Sequence, residues 1–64
     1  MMEDIRKAIH GTEFLVKDLQ TALSKASAVE GMLIIEYIET AATLKTKLVH
    51  FEAALEIKAK AKGD

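Results

Sequence analysis

His10 and Glu13 stand three residues apart, the spacing at which a carboxylate can orient an imidazole on one face of a helix. That pair is the nearest approach to acid–base machinery in the 64 residues. Catalysis also needs a water-excluding pocket, and so short a chain offers no obvious concavity, so the plainer reading leaves both side chains solvated. His50 and Glu52 share no helical face. Glu36 and Glu39 repeat the i,i+3 spacing, but helical di-iron sites combine Glu with Glu-x-x-His pairs. No Glu precedes either histidine by three residues, and His10-x-x-Glu13 runs in the reverse order. With no cysteine, thiolate zinc and disulfides are closed as well. No catalytic residue, metal or cofactor is therefore expected, and the chain reads as a non-enzyme.

Lys45, Lys47, Lys58, Lys60 and Lys62 gather positive charge in the second half. The last three alternate with alanine, so on a helix they splay by about 200° per step and form no single stripe. No arginine accompanies them to lead bidentate phosphate contacts. A solvated helix end is the plainer reading, and a phosphate-contacting surface on Lys58, Lys60 and Lys62 is the sharper one. Nine basic and ten acidic residues leave a net charge of −1, which gives no bulk attraction to nucleic acid or anionic membrane.

The elements that carry these residues are helical by composition and by period. There are ten alanines and no proline. Ile5, Ile9, Thr12, Val16, Leu19, Leu23 and Ala26 follow at alternating spacings of four and three, a heptad seam that Ala8, Leu15, Ala22 and Val29 widen on one side. Gly11 interrupts the propensity without breaking the phase, so one continuous helix is expected over about 2–27. A second seam, Ile34, Tyr37, Ala41, Leu44, Leu48, Phe51 and Leu55, is flanked by Ile35, Ala42 and Val49 and predicts a helix over about 32–62, with Gly63 as a stop.

Between the seams two signals compete. Ser27 with Glu30 fits a capping box that starts the second helix near Ala28. Gly31 fits instead a helix stop, which places the turn at about 27–32. One unbroken helix is a third arrangement. Met32–Ile38 is also apolar and rich in β-branched residues, so an α-β-α chain with a strand at 32–38 is a minor alternative.

The favoured architecture is all-α: one domain spanning 1–64, an antiparallel two-helix hairpin that dimerises into a four-helix bundle. At this length a lone core supplies only about 3–5 kcal/mol, and partners usually complete it. The expected oligomer core is Ile5, Ile9, Val16, Leu19, Leu23, Ile34, Tyr37, Leu44, Leu48, Phe51 and Leu55. Phe14 falls roughly opposite the first seam. It reads as an ordinary exposed residue, as an anchor for a partner, or as a core residue rotated inward by a break at Gly11. With Lys58, Lys60 and Lys62 it forms the candidate partner surface.

In size and architecture the expected molecule resembles the plasmid-encoded Rop bundle and the small hairpin co-chaperones of secretion systems, and the resemblance goes no further than that. Two functions follow. The first is a protein-interaction module (adaptor, inhibitor or assembly subunit) that works through helical surfaces as a homo-oligomer or on a larger protein. The second is a Rop-like dimeric nucleic-acid-binding regulator using surface lysines. The acidic opening, Met1-Met2-Glu3-Asp4, does not read as a signal peptide. The longest apolar run falls far short of the roughly 20 residues of a membrane span. A cytoplasmic protein is expected.

Overall fold

The structure is a computed structural model that describes residues 1–63, with side chains placed through Ala61. Helix α1 spans Met2–Leu23 and helix α2 spans Ala28–Gly63. The two pack against each other as an antiparallel hairpin, and no strand occurs among the described residues. Met32–Ile38 is helical, which removes the α-β-α alternative.

The turn occupies Ser24–Ser27, earlier than the 27–32 expected, because the capping box prevails over the glycine stop. The Ser27 N–H donates to Glu30 Oε1 at 2.9 Å, and the Glu30 N–H donates to Ser27 Oγ at 3.3 Å. These reciprocal bonds satisfy donors that the first turn of a helix otherwise leaves unpaired. Gly31 cannot act as a left-handed stop, since its φ is not positive. It sits inside α2 with its N–H donating to the Ser27 carbonyl at 2.7 Å. At the end of α1, the Ser24 hydroxyl donates to the Thr21 carbonyl at 2.6 Å. The Lys25 and Ala26 N–H groups close tight bonds back to Ala22 and Leu23.

The seam of α1 falls where the heptad spacing places it: Met2, Ile5, Ile9, Thr12, Val16, Leu19 and Leu23 are all at least half-buried, and α1 runs unbroken through Gly11. Thr12 is buried, and its hydroxyl donates to the Ile9 carbonyl at 2.6 Å, so it leaves no unsatisfied group in the seam.

The seam of α2 differs from the expected one. Its inward residues are Gly31, Ile34, Ile38, Ala41, Lys45, Leu48, Glu52 and Leu55. Ile34, Ala41, Leu48 and Leu55 are thus shared with the expected series, whereas Tyr37, Leu44 and Phe51 lie one position to the side and are exposed. Two reasons favour the observed phase. Gly31 and Ala41 are small and both are buried, Gly31 beneath the Leu23 side chain. Lys45 and Glu52 lay their aliphatic stems along the seam while their charged ends reach Glu13 and Arg6 on α1.

A hairpin buries little. Among the described residues Ile9 and Ala41 are the only buried hydrophobic residues, and the molecule measures 55 × 14 × 11 Å. Its radius of gyration is 15.6 Å, against about 11 Å for a compact domain of this length. α2 has 36 residues to the 22 of α1, so its C-terminal end runs past the start of α1.

Candidate interaction surface

Antiparallel packing gives the hairpin two long edges, and their chemistry differs. One edge is bridged by charge. Arg6 of α1 forks between two carboxylates of α2, with Nε donating to Glu52 Oε2 at 2.8 Å and Nη2 to Glu56 Oε1 at 3.1 Å. Those bonds, Glu52 first, raise the Arg6 pKa still further above its ordinary value. Lys45 Nζ lies 3.4 Å from Glu13 Oε2 on the same edge. Both bridges are substantially exposed, so they fix register more than they add stability. Next to them is a shallow, open depression of about 530 Å³, lined by Glu13, Val16, Ala42, Lys45, Thr46, Val49 and His50.

The opposite edge carries no charge bridge among the described residues. Arg6 with Glu52 and Glu13 with Lys45 define one register, which sets Ala8, Leu15 and Ala22 of α1 level with Phe51, Leu44 and Tyr37 of α2. All six are exposed: Leu15 is 47 % accessible, Tyr37 52 %, Leu44 48 % and Phe51 44 %. These six side chains make the edge apolar at three successive levels. The sequence marked all three α2 residues as core, and the row Ala8, Leu15, Ala22 as a widening of the first seam. Their convergence on one edge depends on the phase of α2, which period alone does not fix.

The remaining candidates are dispersed. Phe14 is 67 % exposed on the back of α1, and because α1 is continuous at Gly11 the inward-rotated reading is removed. Lys58 and Lys60 are exposed on the overhang of α2, and the side chain of Lys62 lies outside the described residues. Lys45, one of the lysines grouped with them in sequence, points inward to Glu13. His10 Nδ1 is 3.4 Å from Glu13 Oε1, with both side chains well exposed. Glu36 and Glu39 border a second open depression with Thr40, Thr43, Leu44 and Lys47. Among the described residues no three His, Cys, Asp or Glu side chains cluster as metal ligands would. No helix there is long and apolar enough to cross a membrane.

Glu30 is held below the usual carboxylate range by the Ser27 backbone N–H first and its hydroxyl second. That shift belongs to the cap. Compared with known proteins, the chain matches no family model, no curated protein and no solved structure.

Proposed function

We propose that this protein is a small, non-enzymatic interaction module of the cytoplasm, an adaptor, inhibitor or assembly subunit that works by presenting helical surface. One observation carries the reading. Among the described residues twelve large hydrophobic side chains are 40 % or more exposed, whereas the only buried hydrophobic residues are Ile9 and Ala41, so much apolar surface that could stabilise the fold is unused by the hairpin itself. Burial of apolar area is the main force available to so small a chain, and a partner supplies what the second helix alone does not.

The nucleic-acid reading draws less support from the geometry. Lys45 is engaged by Glu13, Arg6 by Glu52 and Glu56, and Lys58 and Lys60 stand on an overhang away from the seam. Fluorescence anisotropy with mixed-sequence RNA and duplex DNA, at about 50 and 200 mM salt, separates the two readings. The interaction-module reading expects no saturable binding at the lower salt. Saturable binding that weakens by orders of magnitude at the higher salt would overturn it in favour of a nucleic-acid regulator.

A further inference from the structure

We infer that the uncharged edge of the hairpin, formed by Ala8, Leu15, Ala22, Tyr37, Leu44 and Phe51, is a docking surface for a second copy of this chain. The inference rests on the interaction-module reading and names its partner. Three observations converge on it.

The first is area. The chain exposes 5053 Å², roughly 1,000 Å² more than the about 4,000 Å² of a compact monomer of its mass. A stable interface takes about 800 Å² from each partner, so the excess is of the size that one such contact removes.

The second is shape. At successive levels the edge pairs Ala8 with Phe51, Leu15 with Leu44, and Ala22 with Tyr37, so that each ring has a methyl group beside it. A two-fold axis along the hairpin lays α2 of one copy over α1 of the other at the same level. Phe51 then meets Ala8 of the second copy, Tyr37 meets Ala22, and Leu44 meets Leu15. An isologous contact requires such reciprocity, in which i meets j and j meets i. Either edge has it under such an axis, and on this one the facing groups are all apolar. Every helix also gains a second antiparallel neighbour, as in an up-down four-helix bundle.

The third is charge. The two edges divide polar from apolar. All the ion pairs that join α1 to α2 among the described residues lie on the other edge. A net charge of −1 puts little repulsion between copies. Lys47 borders the apolar edge at Leu44, but Glu36 and Glu39 line the same depression, so the rim is not the basic one that a lipid surface would call for.

The test compares two exposed aliphatic sites of similar accessibility, Leu44 at 48 % and Val49 at 40 %. Leu44 lies on the apolar edge and Val49 on the charged one. Light scattering on a size-exclusion column should give wild type twice the 7.0 kDa chain mass. Val49→Glu should keep that mass. Leu44→Glu should raise the dissociation constant by about thirtyfold or more, as expected of a central interface residue. Because Leu44→Glu could also unfold the chain, the cysteine-free background supplies a second readout. Leu44→Cys treated with a short bis-maleimide should give a covalent dimer, and Val49→Cys should not. A monomeric wild type overturns the inference and leaves the interaction-module reading standing. A dimer that cross-links through Val49→Cys overturns the choice of edge.

Discussion

Two glycines inside helices should respond to alanine in different ways, because only one of them meets the opposing helix. Neither Gly11 nor Gly31 has positive φ, so alanine is conformationally acceptable at both. At Gly11 an added Cβ meets nothing within 4 Å. The substitution then adds only helix propensity, about 1 kcal/mol, which for a domain of this size raises the melting temperature by about 4–8 °C. At Gly31 an added Cβ lies 3.3 Å from Leu23 Cδ1, so the half-buried Leu23 must move by a few tenths of an ångström. Overpacking of this kind typically costs about 1–3 kcal/mol, enough to cancel the propensity gain or reverse it. Thermal unfolding followed by far-ultraviolet circular dichroism, with all variants at one chain concentration, should therefore show Gly11→Ala above wild type and Gly31→Ala level with it or below. Equal stabilisation by both would refute the close approach of α2 to the end of α1. Destabilisation by Gly11→Ala would refute the open surroundings of α1 at that point.

Ser27→Ala removes the hydroxyl that accepts from the Glu30 N–H and should cost about 1 kcal/mol; an unchanged denaturation midpoint would mean that the turn does not depend on the cap. The pKa of Glu30 is lowered in the folded state, so the unfolded chain binds the more protons as the solution is acidified. This contribution is fully present above the ordinary carboxylate pKa and disappears as pH falls through the depressed folded value. Glu30→Gln should accordingly flatten the acid limb of a plot of melting temperature against pH, and a parallel curve would count against the linkage. Lys45→Leu exchanges a partly exposed ion pair for apolar burial in the seam and should stabilise by about 1 kcal/mol. A loss of stability in urea unfolding would show instead that the Lys45–Glu13 pair contributes more than an exposed ion pair ordinarily does.

Period was legible in the sequence and phase was not. The seam of α1 could be read because its inward positions are aliphatic nearly throughout, with Thr12 as the one polar member. In α2 the row Tyr37, Leu44 and Phe51 is more hydrophobic than the row that faces α1, where Ile38 is followed by Lys45 and Glu52. A hydrophobic count consequently selects the flank beside the one that faces α1. The signal that could have corrected it is charge complementarity: Arg6 and Glu13 on α1 call for Glu52 and Lys45 at matching levels on an antiparallel partner. The turn was legible in its capping box, Ser27 with Glu30, but Gly31 offered a competing stop. Only the packing of α2 against Leu23 shows why a glycine stands there. Phe14 could not be placed from sequence because its position depended on whether α1 continued through Gly11. Once it does, the ring lies on the back of the helix.

The central claim is that the hairpin completes its core by association with itself, and the concentration dependence of thermal unfolding tests it most directly. Two chains of 64 residues unfolding together absorb about 90 kcal/mol at roughly 0.7 kcal/mol per residue. Mass action then raises the melting temperature by about 5–6 °C for each tenfold increase in chain concentration. A shift of that size, sustained across a dilution series, is the predicted result. A cooperative transition whose midpoint does not move across the series would contradict the claim, because the hairpin would then be stable as it stands.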